Sequence, residues 1–238
     1  MNIFPAIDLI DGCAVRLVKG DYNQKTVYST HPEQVACDFR AAGAEFIHLV
    51  DLDGAKSGDA PNFETVKSIV SASGLHAEIG GGIRSMAVIE RYLTAGVSRV
   101  ILGTAAVKDP EFLRSAVSHF GEQIAVGVDI RDGYVAVNGW TELSRKTCME
   151  FCDELEQLGV KTVICTDISK DGMLGGTNTA LYRTLSEKFS MDFIASGGVS
   201  TLQDIQALRD MGLYGAIIGK AYYTGAIDLK DAIEVAKA

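Results

Sequence analysis

The chain is predicted to be an α/β protein folded as a single-domain (β/α)8 barrel, and three observations predict this. Short, continuously apolar runs alternate with longer amphipathic stretches from end to end, as when parallel strands are buried on both faces by the helices between them. The pattern gives eight of each within 238 residues, close to the ~250 residues that such barrels use. Finally, the chain repeats itself. Ile79-Gly80-Gly81-Gly82-Ile83-Arg84-Ser85 returns as Ala195-Ser196-Gly197-Gly198-Val199-Ser200-Thr201, and Ile101-Leu102-Gly103-Thr104-Ala105 as Ile217-Ile218-Gly219-Lys220-Ala221. Asp51 with Asp167, and Gly96 with Gly212, keep the same separation of 116 positions. A constant period marks duplication, and the half-barrels are placed at about 1–121 and 122–238.

Each element follows from local chemistry. Strand Ile3–Leu9 is followed by a long connection, Ile10–His31, and then by helix Pro32–Ala42, stopped at Gly43. Strand Phe46–Leu52 precedes helix Phe63–Ser73, stopped at Gly74, and strand Leu75–Ile79 precedes helix Met86–Ala95, capped by Ser85 and stopped at Gly96. Strand Arg99–Leu102 leads to helix Pro110–Phe120, with Asp109 as N-cap and Gly121 as stop. These are the residue types that satisfy helix-end amides and tolerate the left-handed turn after a helix. The second half repeats the order: strand Ile124–Ile130, long connection Arg131–Arg145, helix Lys146–Leu158 stopped at Gly159, strand Thr162–Thr166, and connection Ser169–Asn178. Helix Thr179–Lys188, strand Asp192–Ala195, helix Thr201–Met211 between Ser200 and Gly212, strand Ala216–Ile218 and helix Leu229–Ala236 complete it. The three long connections all follow strands, where barrels build active sites, and are read as mobile lids.

Composition narrows the function. A net charge of −9 argues against a broad basic surface for nucleic acid or an anionic membrane. The start of the chain lacks a leader pattern, and no run reaches the ~20 apolar residues of a spanning helix, so a cytoplasmic protein is expected. Five cysteines, an odd number, fit reduced thiols. Cys148 and Cys152 share a helix face without a second ligand pair, so they are read as packing and no metal is expected.

The chemistry is read at the strand ends. Strand 1 ends in Asp8 and strand 5 in Asp129; first and fifth strands face each other across the mouth, placing two carboxylates on opposite sides of one ligand, as proton removal and delivery require. An aspartate of ordinary pKa, ~3.9, is ionised at neutral pH, so the member acting as acid needs a raised value. Bare backbone at Ser196-Gly197-Gly198 and Gly219-Lys220 lies after strands 7 and 8, where barrels commonly hold phosphate. The repeat predicts a second cradle at Gly81-Gly82 and Gly103-Thr104. The expected ligand is a small molecule phosphorylated at both ends and reacting near its middle. Trp140, the only tryptophan, is expected to cover something planar. Thr166, Asp167 and Asp171 lie close enough to touch substrate, Arg16 and Arg84 could neutralise an anion, and His48 is read as a satisfied interior histidine.

Pro5-Ala6-Ile7-Asp8-Leu9, His48-Leu49-Val50-Asp51-Leu52-Asp53-Gly54-Ala55, Gly80-Gly81-Gly82-Ile83-Arg84, Gly127-Val128-Asp129, Gly139-Trp140, Thr166-Asp167-Ile168 with Asp171-Gly172, and Ala195-Ser196-Gly197-Gly198-Val199 resemble the phosphoribosylformimino-5-aminoimidazole carboxamide ribotide (ProFAR) isomerases of histidine biosynthesis. The resemblance spans essentially the whole chain. It implies an Amadori rearrangement of an aminoaldose to an aminoketose, with no cofactor or metal and with a monomer as the working expectation. It makes Asp8 the base that takes the sugar C2 proton and Asp129 the acid that opens the ring, with Asp171 a rival for that role. Thr166 would assist Asp129, Trp140 would stack on substrate, and Arg84 would hold its central part. Cys165 departs from the bulkier residue expected there. Three other readings stay open at this point: the sister cyclase of the pathway, an enzyme that also accepts phosphoribosylanthranilate, and a silent phosphosugar-binding barrel. Ala6-Ile7-Asp8, where the cyclase typically has Cys-Leu-Asp, and Gly139-Trp140 favour the isomerase.

Overall fold

The computed structural model describes residues 1–18 and 21–238; Lys19 and Gly20, within the first long connection, lie outside the described residues. In chain order the first half comprises β1 (Asn2–Ile10), β2 (Cys13–Val18), β3 (Asp21–Ser29), α1 (Pro32–Ala41), β4 (Phe46–Asp51), α2 (Leu52–Ser57), α3 (Phe63–Ser73), β5 (His76–Gly80), α4 (Met86–Thr94), β6 (Arg99–Leu102), α5 (Thr104–Lys108) and α6 (Pro110–Phe120). A short 3-10 turn leads into β7 (Ile124–Arg131), β8 (Tyr134–Val137), β9 (Glu142–Thr147), α7 (Cys148–Gln157), β10 (Thr162–Asp167), α8 (Thr179–Lys188), β11 (Asp192–Ser196), α9 (Leu202–Asp210), β12 (Gly215–Ile218), α10 (Lys220–Tyr223) and α11 (Leu229–Lys237).

β1, β4, β5, β6, β7, β10, β11 and β12 form the parallel barrel, closed where β12 pairs with β1 at Asn2↔Gly215 to Pro5↔Ile218. All eight strands stand where the apolar runs predict them, because strands buried on both faces read as apolar throughout. Two of the expected lids are instead antiparallel hairpins: β2–β3 after β1 and β8–β9 after β7. The turns explain this. Asp11-Gly12 and Asp132-Gly133 both adopt positive φ (51°, 73°, 53° and 83°) between the paired residues Ile10↔Cys13 and Arg131↔Tyr134. Consecutive left-handed residues form the turn whose twist matches a hairpin, and Asp-Gly is among its preferred sequences. β9 therefore takes Lys146 and Thr147 from the predicted helix, and Thr147 becomes the N-cap of α7 in a capping box with Glu150. Thr201, rather than Ser200, caps α9, again with an acidic residue, Asp204, returning to the cap amide.

Period-two alternation sorts the barrel residues into two cores. Ile7, Leu9, Ile47, Leu49, Val126, Val128 and Val163 face outward to helix residues such as Phe39, Tyr92, Phe151 and Tyr182, all essentially inaccessible to solvent. Cys148, Cys152 and Cys165 are buried in that layer, as the packing reading of the first two expects. Phe4, Ala6, Ile101, Ala125, Ile164, Ile194 and Ile217 fill the barrel interior. On the same face lie His48, Glu78, Arg99 and Thr162, joined by His48 Nδ1 to Glu78 Oε1 (2.7 Å), Arg99 Nη2 to Glu78 Oε2 (2.6 Å) and Arg99 Nη1 to Thr162 Oγ1 (3.1 Å). His48 is thus partnered inside the barrel, as read from the sequence. One step above the apolar floor, the same alternation brings Asp8, Asp129 and Thr166 to the mouth.

Candidate active site at the barrel mouth

Asp8 lies on β1 four residues beyond Phe4, on the face that looks into the barrel. Arg16 reaches it from the adjacent hairpin strand, with Nη1 2.7 Å from Asp8 Oδ2. Asp8 pairs in register with Val15, so β2 delivers Arg16 to that point. The Arg16 side chain also lies 5.6 Å from the centre of the Tyr223 ring, and Tyr223 is itself tied by its hydroxyl to the Ala6 carbonyl (2.9 Å).

Asp129 stands across the mouth on β7. It accepts a hydrogen bond from Trp140 Nε1 at 2.8 Å, and Thr166 is its direct neighbour in the β7–β10 register. Burial pushes the Asp129 carboxyl above its ordinary pKa, while hydrogen bonds from Trp140 and Thr166 and the charge of His48 hold part of that rise back. Asp171, in the connection after β10, is also pushed up: burial leads, Asp8 and Asp129 add to it, and Arg16 and Lys220 oppose it. The carboxylates therefore occupy unlike environments, one ion-paired and two biased toward keeping a proton.

Trp140 sits at φ +70° in the β8–β9 turn, beside Asn138 (+54°) and Gly139 (+62°), and points its indole N–H at Asp129. This is a hydrogen-bonding role that its expected stacking did not include. The turn is held by Asn138 N–H donating to Thr104 Oγ1 at 2.9 Å, so Thr104 anchors the hairpin turn that carries Trp140. Lys220 Nζ donates to the Gly172 carbonyl at 2.9 Å, fastening the connection that carries Asp171 over the mouth.

The glycine segments serve two purposes. Gly81, Gly82, Gly197 and Gly198 all have positive φ (114°, 73°, 89° and 82°). A Cβ on Gly81 would collide with the Asp51 carbonyl, on Gly82 with that of Gly54, on Gly197 with that of Asp167 (2.6 Å), and on Gly198 with that of Gly176. Close approach of one strand end to the preceding connection requires these glycines whatever is bound. Gly103 differs, because a Cβ there meets nothing within 4 Å. A Cβ on Gly219 would collide with the Arg16 guanidinium. The Ser196 amide already donates to Tyr182 Oη (3.1 Å), and that hydroxyl also reaches the carbonyls of Ser196 (2.7 Å) and Cys165 (2.9 Å). Arg84 lies apart, exposed on the rim with Nη2 3.3 Å from the Ala55 carbonyl.

Asp51 and Asp167 carry the repeat into three dimensions. Asp51 accepts from the amides of Gly54 (2.8 Å) and Asn62 (3.1 Å) and from Asn62 Nδ2 (2.7 Å). Asp167 accepts from Ser169 N–H (2.9 Å), Ser169 Oγ (2.7 Å) and Asn178 Nδ2 (2.7 Å). Both oxygens of Asp167 are used inside its own connection. Sequence reasoning missed Asn62, Asn178, Tyr182 and Tyr223; the first two keep the repeat's own spacing, a signal that was present.

Fold and site define a (β/α)8-barrel enzyme with facing aspartates at the mouth and glycine-rich strand ends beside them. The chain belongs to the family described as histidine biosynthesis protein, whose model matches residues 2–228. Among curated proteins it is 51% identical over 234 residues to a protein of Oceanobacillus iheyensis, covering 98% of both chains. It is 48% identical over 237 residues to one of Brachyspira hyodysenteriae, covering 100% of both, and 52% identical over 232 residues to one of Lactococcus lactis subsp. cremoris, covering 97% of this chain and 94% of the relative. All three relatives carry the name 1-(5-phosphoribosyl)-5-((5-phosphoribosylamino)methylideneamino)imidazole-4-carboxamide isomerase.

Proposed function

We propose that this chain catalyses the Amadori rearrangement of ProFAR to its aminoketose in histidine biosynthesis, with Asp8 as general base and Asp129 as general acid. The carrying observation is the pair of facing aspartates held in unlike environments: Asp8 bonded to a guanidinium, Asp129 sunk beneath an indole and raised by burial. A carboxyl that keeps its proton can protonate the sugar ring oxygen as the ring C–O bond breaks and the amine nitrogen forms the C1=N bond. Asp8 then takes the C2 proton; the C–H electron pair becomes the C1=C2 bond and returns charge to nitrogen. The resulting enol loses its hydroxyl proton as C1 gains one, giving the ketone. Thr166 and Trp140 orient Asp129, and the glycine-rich strand ends with Lys220 receive the phosphates. Asp171 rivals Asp129 as the acid, since burial raises it as well.

The test is a spectrophotometric turnover assay of the purified chain with ProFAR, run in parallel with phosphoribosylanthranilate. Turnover of ProFAR is expected. Its absence in a folded sample that still binds the bisphosphate would reject the proposal in favour of a silent barrel or the cyclase. Turnover of both substrates would extend the activity to a second aminoaldose.

A further inference from the structure

Three observations meet at Arg16, to which the proposed mechanism gives no step of its own. Its Nη1 holds the candidate base, Asp8, at 2.7 Å. Its guanidinium lies so close to the Gly219 Cα that a Cβ there would collide with it, which puts the cation on the backbone segment read as a phosphate cradle. Its Nε is buried and has no hydrogen-bond partner among the described residues, although a buried unsatisfied donor costs about 1–3 kcal/mol and is normally satisfied. A dianion on the Gly219-Lys220 backbone would supply the missing acceptor, with the larger charge and the geometry that a planar, multi-donor guanidinium binds through two donors.

We propose that Arg16 couples phosphate binding to catalysis: a phosphate seating at Gly219 draws the guanidinium from Asp8, and only then is Asp8 released to take the C2 proton. This rests on the isomerase reading and on a phosphate end at Gly219. Binding energy from a remote part of the substrate is thereby spent at the reacting centre. The titratable and charged groups facing Arg16 are Asp8, Asp171 and Tyr223, and Lys220 faces Asp171. Arg16 is one of the charges that oppose the upward shift of Asp171, so its transfer to phosphate also leaves Asp171 better able to hold a proton. One movement frees the Asp8 carboxylate and favours the protonated form of Asp171. The two cradles are unequal on this reading, since Gly103 has no side chain against it.

Two measurements on the full chain test the coupling. The first uses the two monophosphates of ProFAR, each lacking one phosphate, assayed with and without phosphite dianion. One of them should be turned over slowly by the wild type and be activated saturably, by at least about fivefold, the lower end of ordinary site-to-site coupling. In Arg16→Gln that monophosphate should be turned over faster than by the wild type and should no longer respond to phosphite. A slower Arg16→Gln that keeps its phosphite activation would overturn the proposal. The second follows the Arg16 Nε–H by NMR, assigned by its loss in Arg16→Lys, during titration with inorganic phosphate. A saturable shift of that signal is expected, and a signal unmoved by phosphate rejects the transfer. Absence of ProFAR turnover by the wild type would instead remove the isomerase reading, which separates the two failures.

Discussion

Asp8 and Asp129 sit at equivalent strand ends but in different surroundings, one bonded to the Arg16 guanidinium and the other to the Trp140 indole N–H, and the proposed division into base and acid rests on that difference. Replacing either with asparagine keeps shape and removes proton exchange. We expect kcat to fall by at least the ~10²-fold typical of a lost general acid or base, with KM held within about tenfold. Near-normal turnover of Asp8→Asn would remove Asp8 from the mechanism. Trp140 supplies a sharper test. Its N–H bond to Asp129 opposes the upward shift that burial imposes, so Trp140→Phe raises the Asp129 pKa further. A group needed in its protonated form sets the alkaline limb of the kcat profile, and raising its pKa moves that limb to higher pH. A limb that stays in place in Trp140→Phe, or that moves equally in Asp129→Asn, would assign it to another group, with Asp171 the first candidate.

The strand-end glycines differ in what surrounds them. Gly82 combines φ +73° with a Cβ position that overlaps the Gly54 carbonyl, so Gly82→Ala is expected to destabilise the protein by about 2 kcal/mol or more, in the range of backbone strain and steric clash. Gly103 has open space where a Cβ would stand; Gly103→Ala is expected to cost less stability than Gly82→Ala and to raise KM by crowding a phosphate on that backbone. Thermal unfolding and steady-state kinetics on the two variants separate the effects. An unchanged KM in Gly103→Ala would remove this position from the phosphate site. The asparagine partners follow the same logic: Asn62 and Asn178 clamp buried aspartates, holding in place the connections that overhang the mouth.

Beneath the site, the barrel interior encloses a hydrogen-bonded polar group of His48, Glu78, Arg99 and Thr162. Burial alone would raise the Glu78 pKa, but hydrogen bonds and charge from His48 and Arg99 outweigh it and hold the carboxyl below its ordinary value. A depressed carboxylate stabilises the fold fully above its unfolded-state pKa, near 4.3, and that contribution disappears as pH falls through the lower folded-state value. Glu78→Gln leaves Arg99 without its counter-charge and should cost about 3–5 kcal/mol at neutral pH. Urea denaturation across pH should also show a shallower loss of stability below pH ~4 in the variant than in the wild type. Curves that stay parallel through that window would mean that Glu78 titrates alike in folded and unfolded chains.

What the sequence by itself determined is the barrel: eight apolar runs, the glycines that stop the helices, and the repeated strand ends all report local burial and backbone conformation, which neighbouring residues decide. Asp8 and Asp129 were legible for the same reason, as polar residues ending apolar strands. The hairpins after β1 and β7 were also encoded, in Asp11-Gly12 and Asp132-Gly133, but were overlooked behind the larger barrel pattern. Only the tertiary structure decided which partners these residues meet. Arg16 reaches Asp8 and Gly219, Trp140 turns its N–H to Asp129, Thr104 anchors the β8–β9 turn, and Gly82 yields to the Gly54 carbonyl because barrel closure and strand register juxtapose residues far apart in the chain. Side-chain pairing across such distances follows from how the sheet closes, and no spacing along the chain encodes it.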